Sequence, residues 1–299
     1  MKEIMAELES AVVALGMFDG VHLGHRALMT RLLEEAKRLG AIPVVYTFSN
    51  HPLDVLGGNV RLLSTVRERN LLLRSLGAQS VESVPFTLEM AHLSTEQFVD
   101  LLAEKWNVRG LVVGYNYTCG DRGAGTPETL REIGFRRGFS VSVVEPVQFE
   151  GEPVSSTRIR EAVERGDVKL AQTLLVRRYT LSGIVVQNKR IGRRIGFPTA
   201  NIEQDKRRVI PADGVYATYA SVGGMAYRAA TNIGTNPTVN GDKRTIETYL
   251  IDFDSDIYGQ ELTIAFRKRL RDEVMFDSLE ALKEQIQRDV EEAASLKDA

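Results

Sequence analysis

Cysteine is nearly absent from this 299-residue chain, where Cys119 is the only one. No internal disulfide can form, which fits a reducing compartment. One thiol also rules out a zinc site built on two or more thiolates. Neither sign of charge is in excess: 38 Lys+Arg stand against 40 Asp+Glu, a net charge of -2. Nucleic-acid binders usually carry an overall basic excess or one dominant basic face, so nucleic acid is not an expected partner. The basic clusters Lys206-Arg207-Arg208 and Arg267-Lys268-Arg269 read as solvated faces. No apolar run reaches the length of a membrane span, and the opening MKEIMAELES lacks the apolar stretch of a signal peptide. The expectation is a cytoplasmic protein without a membrane partner. Tandem repeats, low-complexity tracts and a Walker G-x-x-x-x-G-K-[ST] loop are missing too.

What is present suits two ordinary domains: 43% apolar residues for the cores and 26% charged residues for the surface. In the first half, short apolar runs alternate with helical spacing. Ala11–Met17 and Ile42–Phe48 read as strands. Between them Leu28, Leu32, Ala36 and Leu39 recur at intervals of three and four, and Gly40 ends the helix. Helices near 67–76, 95–106 and 127–137 and strands at 111–113 and 141–144 continue the alternation, which predicts a parallel sheet covered on both faces. Two short helices follow, one near 157–165 that stops at Gly166 and one that starts after Asp167, its N-cap, and runs to about Leu175, and 176–180 reads as the junction. After it, strands dominate. Gly214–Val222 and Met225–Asn232 flank Gly223-Gly224, a strong hairpin signal, and Thr245–Phe253 and Leu262–Phe266 add further strands. This predicts a closed antiparallel barrel. One amphipathic helix ends the chain, with Leu279, Leu282, Ile286 and Val290 on one face and Asp277 as the expected N-cap.

The strongest local signal is Gly16-Met17-Phe18-Asp19-Gly20-Val21-His22-Leu23-Gly24-His25, where the first strand turns into the first helix. Small residues there let the backbone approach a nucleotide. The helix start offers unpaired N–H groups and a positive dipole end to phosphate. His22 and His25, three apart, face one side of that turn. They suit the α-phosphate of ATP and the charge that builds during attack on it. An H-x-x-H alone is a weak signal and is more often a surface or metal-binding pair. The company of Gly16, Asp19 and Gly24, and the use of two of only four histidines, favours function. Ser155-Ser156-Thr157-Arg158-Ile159-Arg160 opens a later helix and could hold phosphates. By itself it would be a plain helix cap. In the second half, the basic stretch containing Gly192, Arg193 and Gly196 can wrap polyphosphate. Thr199 and Asn201 offer neutral oxygens, and Mg²⁺ often needs only one or two protein ligands. A solvated hairpin fits that composition equally well.

Together the first-half segments resemble the bacterial FAD synthetase module, which pairs Gly-x-Phe-Asp-Gly-x-His-x-Gly-His with a later Ser-Ser-Thr-x-x-Arg. Phe48-Ser49-Asn50-His51-Pro52-Leu53 and Val113-Gly114-Tyr115-Asn116-Tyr117-Thr118-Cys119-Gly120 are similar to segments lining its ATP and flavin sites. Gly196-Phe197-Pro198-Thr199-Ala200-Asn201 resembles the riboflavin kinase hallmark. Further matches are Gly214-Val215-Tyr216, Asn232–Thr238, Glu247, Asp256–Gly259 and Leu270–Glu273. The resemblance, to the bifunctional riboflavin kinase/FAD synthetase family, runs from about residue 12 to 290.

It implies an α/β Rossmann-like nucleotidyltransferase domain over 1–178. An antiparallel β-barrel riboflavin-kinase-like domain with a C-terminal helix follows over 179–299. It implies ATP as co-substrate, Mg²⁺ as cofactor, and riboflavin, FMN and FAD as ligands. It makes His22, His25 and Arg160 the handlers of ATP phosphates, with Gly16, Phe18, Asp19, Gly24, Ser155, Ser156 and Thr157 in the same site. Asn116 and Arg271 fall near the flavins, Thr199 and Asn201 at Mg²⁺, and Glu247 becomes the base for the riboflavin 5′-hydroxyl. The chain departs from the family at Asn50 (commonly proline), Cys119 (phenylalanine), Gln187-Asn188 (His-Gly) and Tyr249 (histidine). Two alternatives stay open: a single live activity, most plausibly the adenylyltransferase, or a flavin-binding regulator with an inactive barrel.

Overall fold

Ser10–Leu15 (β1) has five of its six residues buried, as a central parallel strand covered on both faces requires. Its partners are Ile42–Phe48 (β2), Ser80–Val84 (β3), Asn107–Gly114 (β4) and Ser140–Val144 (β5). They form one sheet in the order β3-β2-β1-β4-β5, with every pairing parallel. The alternation of β1 divides two cores. Val12 and Ala14 pack with Leu28, Met29 and Leu32 of Leu23–Leu39 (α1) and Leu73 of Val66–Ser75 (α3). Val13 and Leu15 pack on the other face with Phe98 and Leu102 of Thr95–Ala103 (α5) and Leu130 and Ile133 of Pro127–Arg137 (α6). Pro52–Val55 (α2) and Leu88–Ala91 (α4) are single turns. The strand order reverses between β1 and β4, so the crevice at their carboxyl ends is where such sheets bind ligands.

The computed structural model describes residues 8–187, 196–238 and 241–297. It forms two compact units, Met1–Ser156 and Thr157–Ala299. The second unit takes in most of Ser156–Glu164 (α7) and all of Val168–Leu175 (α8). Gly166, at φ 80, separates these helices, and Asp167 caps α8 by accepting from the Leu170 N–H. The strands Thr180–Val186 (β8), Ala200–Gln204 (β9), Gly214–Val222 (β10), Met225–Thr238 (β11), Gly241–Leu250 (β12) and Glu261–Arg271 (β13) close in the order β10-β11-β12-β9-β8-β13. All these pairings are antiparallel. Gly223 and Gly224 both take positive φ, as a two-residue hairpin turn demands. Inside the barrel, the hydroxyls of Thr218, Thr231 and Thr248 form a ladder (2.8 and 3.0 Å) ending on the Ala229 carbonyl at 3.3 Å, so these buried oxygens are satisfied. Leu279–Ser295 (α9) covers the outer wall, with Val290 and Ala293 against Ala217 and Ala230.

Several boundaries differ from those expected. The first strand stops at Leu15, before Gly16, and α1 starts four residues earlier than Ala27 because His22 caps it. Strand β3 and the small hairpin Gln148–Phe149 (β6) and Glu152–Pro153 (β7) are additional; β3 is an edge strand in which only Val81 is buried. Strands β11 and β13 run on to Thr238 and Arg271. The cap of α9 is Ser278, whose hydroxyl accepts from the Ala281 N–H, rather than Asp277, and Leu279 is exposed. No helix among the described residues is long and apolar enough to cross a membrane.

Candidate active sites

After β1, Phe18 (φ 53) and Val21 (φ 44) take left-handed backbone. For bulky or β-branched residues that costs on the order of 1–3 kcal/mol each. The surroundings hold the loop in this shape. The Phe18 ring is fully buried. The Asp19 carboxylate, 2% exposed, accepts from the N–H groups of Leu63 (3.0 Å) and Ser64 (3.1 Å) and from the Ser64 hydroxyl (3.2 Å). Ser64 Oγ in turn accepts from the Gly20 N–H at 3.1 Å.

This loop delivers His22 as the cap of α1. Its Nδ1 accepts from the His25 N–H at 3.4 Å, which puts the ring proton of neutral His22 on Nε2. The His22 and His25 rings stack at 3.7 Å with 21° between their planes, and Phe18 lies 5.1 Å from His25. Burial, then the neighbouring His22 and the Arg69 charge, holds His25 well below the usual histidine range, which favours the neutral ring. Its buried Nδ1 has no hydrogen-bond partner among the described residues. Gly24 leaves room for the stack: a Cβ there would stand 3.1 Å from His22 Cε1 and 3.2 Å from Nδ1, close enough to push on the ring.

Asn116 follows the end of β4 and is exposed, so it and the histidine loop flank the strand-order reversal. Cys119 sits in a tight backbone pair with Gly125 (3.0 and 2.8 Å), and burial pushes its thiol up to about 11. A Cβ on Gly125 would approach Cys119 Sγ to 2.7 Å, so the small thiol acts as inert packing. The Asn50 side chain grips the Phe86 backbone in both directions (3.0 and 2.7 Å), joining the segments after β2 and β3. Ser156 Oγ donates to the Asp19 carbonyl at 2.9 Å, which ties Ser156 to the histidine loop. Thr157, exposed, and Arg160, half-buried, lie in the first turn and a half of α7.

In the barrel, Asn201 on β9 pairs with Glu247 on β12, Glu247 with Asn232 on β11, Asn232 with Val215 on β10, and Val215 with Arg271 on β13. Opposed residues of antiparallel strands share a face, so Asn201, Glu247 and Asn232 form one polar row. The next row holds the interior Thr231 and Thr248, which puts Glu247 on the outer wall. Tyr249, two residues along that wall, packs edge-on against Phe197 at 5.3 Å. A cavity of about 260 Å³ is lined by Thr199 together with Val185, Pro198, Leu250, Phe253 and Tyr258. Arg271 is engaged in a bidentate pair with Asp289 of α9 (2.7–3.1 Å), and Gln285 donates to the same carboxylate at 2.9 Å. Gly192 and Arg193, with Asn188, lie outside the described residues.

Two participants were not singled out from the sequence. Asp289 looks like one more charge on a polar helix. Arg69, buried beneath the histidine loop, sits in the charged string Arg67-Glu68-Arg69, which reads as a helix surface. Its one signal is the buried Leu73 four residues on, on the same helix face.

A parallel sheet with a histidine-capped helix at its strand reversal, joined to a barrel that carries a polar row with one carboxylate and a cavity, defines a two-part nucleotide-dependent transferase. The FAD synthetase family model matches residues 4–158 and the riboflavin kinase model residues 175–297. The bifunctional riboflavin kinase/FMN adenylyltransferase of Bacillus subtilis is 36% identical over 97% of this chain and 93% of its own length. That of Escherichia coli K12 is 36% identical over 95% and 92%. A Streptococcus pneumoniae crystal structure described as a macrolide-efflux protein has a TM-score of 0.91 at 32% identity, covering 99% of this chain and 97% of that one. The efflux name is that protein's own. The chain belongs to the bifunctional riboflavin kinase/FMN adenylyltransferase family.

Proposed function

We infer that the two halves carry two successive steps on one flavin. The chain is a riboflavin kinase and FMN adenylyltransferase. It transfers the γ-phosphoryl group of ATP to riboflavin, giving FMN. It transfers the adenylyl group of a second ATP to FMN, giving FAD and pyrophosphate. The adenylyltransferase residues fall within 1–178 and the kinase residues within 179–299. A cytoplasmic location suits an enzyme that draws on ATP.

In the kinase half, Glu247 takes the proton of the riboflavin 5′-hydroxyl as it attacks the γ-phosphate. The observation that carries this reading is the pairing of Glu247 with Asn201, which sets the base beside a neutral oxygen ligand. Thr199 and Asn201 suit Mg²⁺, which takes most of its shell from phosphate and water and supplies positive charge to the phosphate oxygens. No cluster of three or more His, Cys, Asp or Glu among the described residues offers an all-protein cage instead. Gly192 and Arg193 complete the phosphate wrap, and Arg271 steadies the flavin side through α9.

In the adenylyltransferase half, His22 and His25 donate to the α-phosphate as charge builds on it. Gly16 and Gly24 keep the approach open, while the buried Phe18 and Asp19 serve by fixing the loop. Ser155, Ser156, Thr157 and Arg160 hold the departing pyrophosphate, and Asn116 orients the flavin. Gly24→Ala pushes on the His22 ring and is expected to slow FMN adenylylation roughly tenfold, a fraction of a lost transition-state donor. The measurement is FAD formation from FMN and ATP; an unchanged rate means the ring has room to yield.

Incubation with riboflavin, ATP and Mg²⁺, with products separated by chromatography, tests the whole reading. FAD shows both sites live, FMN alone shows only the kinase, and neither product makes the protein a flavin binder. A fragment starting at Arg178 is expected to make FMN and no FAD. Helix α8 packs its buried Val168, Ala171, Leu174 and Leu175 in the barrel unit and lies against β13. A fragment starting at Thr157 therefore melts at a higher temperature than one starting at Arg178. A folded Arg178 fragment that makes no FMN overturns the division of labour.

A further inference from the structure

Arg69 is 3% exposed, yet no carboxylate among the described residues forms an ion pair with it. Its Nη1 donates to the Met17 carbonyl at 3.1 Å and its Nη2 to the Phe48 carbonyl at 2.6 Å, so the guanidinium joins the chain just beyond β1 to the end of β2. Thr47 Oγ1 donates to the same Met17 carbonyl at 3.2 Å. The remaining Nε is buried without a partner. A buried cation whose direct hydrogen bonds all go to neutral carbonyls carries a desolvation cost that an anion can offset. The segment bearing it is itself rigid. Thr65 and Glu68 form a capping box at the start of α3, and Leu63 and Ser64 just before it grip Asp19. One stretch, Leu63 to Arg69, thus holds the loop at two points.

We propose that Arg69 is a positioning residue for adenylyl transfer: its fork fixes the Gly16–His25 loop from behind, and its charge favours the polyphosphate at that loop. The proposal rests on the adenylyltransferase reading above. The groups facing His25 agree with it. His22 stacks on the ring, the charge of Arg69 on α3 opposes protonation of His25, and the charge of Asp19 acts on Arg69 in the sense opposite to burial. The Nη1 bond to the Met17 carbonyl puts this positive charge at the base of the loop, where it also attracts a phosphate bound there.

The test uses the full-length protein with Arg69→Met and Arg69→Lys. Three quantities are read: kcat/KM for ATP in FAD formation, riboflavin phosphorylation by the same sample, and the NMR titration of the His25 ring. Arg69→Met is expected to lower kcat/KM for ATP by roughly tenfold to a hundredfold, in the range for a lost charged hydrogen-bond donor. Removing a neighbouring positive charge also eases protonation, so the His25 midpoint moves up. Arg69→Lys keeps the charge and loses the fork, so His25 titrates as in the wild type while kcat/KM falls between the two. Arg69→Met with both quantities unchanged overturns the proposal. If Arg69→Met abolishes the melting transition of the sheet unit, Arg69→Lys decides, and a wild-type kcat/KM there overturns it. A wild-type protein that makes no FAD from FMN fails the adenylyltransferase reading instead, a distinct result.

Discussion

A variant carrying both His22→Ala and His25→Ala is expected to lose FAD synthesis by on the order of a thousandfold, the scale of removing a transition-state donor from a closed site. It should still convert riboflavin to FMN at the wild-type rate. The rings stack at 3.7 Å, and His22 accepts from the backbone N–H of His25, so the two act as one unit. Each single variant should therefore lose nearly as much as the pair, since groups that act together are far from additive. The competing explanation is loss of structure. Removing the His22 cap costs about 1 kcal/mol of helix stability. Phe18 and Asp19 remain anchored in the core and on Leu63 and Ser64 whatever happens to the rings. Circular dichroism with chromatography of FMN-to-FAD conversion separates the two effects. A folded double variant that makes FAD at the wild-type rate removes both histidines from the chemistry.

Much of the fold was legible because its signals are local. Helix α6 runs over 127–137, as its spacing predicts, with Thr126 as cap, Pro127 at the first position and Gly138 in the left-handed conformation after the end. Helix α8 begins at its Asp167 cap for the same reason, and β10 ends at the Gly223-Gly224 turn. Strand β3 escaped because an edge strand half-open to water has no continuous apolar run. The cap of α9 slipped by one residue because Asp277 and Ser278 are both good caps, and only the backbone decides between them.

The sites divide in the same way. The histidine loop announces itself as a motif at a strand-to-helix turn. What holds it does not: Asp19 meets Leu63 and Ser64, and Arg69 meets Met17 and Phe48, across separations of 21 to 52 residues. A charged residue becomes buried only through tertiary structure, so Arg69 looks like any surface arginine in sequence. The barrel row is a similar case. Asn201, Glu247 and Asn232 are brought into line by strand register, which no local pattern specifies.

That register makes Glu247 the sharpest test of the kinase half. Glu247→Gln is expected to slow riboflavin phosphorylation by roughly a hundredfold or more, within the range for a lost general base. The substitution keeps the length and shape of the side chain, and both strand neighbours are amides that can donate to or accept from a glutamine. Pairing between β9, β12 and β11 is therefore retained, and the melting temperature stays close to wild type. FMN supplied from outside still becomes FAD, because no adenylyltransferase group is altered. Glu247→Asp sharpens the result: it retains a carboxylate but withdraws it by one methylene, so turnover falls to a value between those of the Gln variant and the wild type. The measurement is FMN production with ATP and Mg²⁺ at saturating riboflavin, followed by the same assay starting from FMN. Unchanged turnover in the Gln variant makes Glu247 a strand residue like its neighbours, and the base must then be sought elsewhere on the barrel wall.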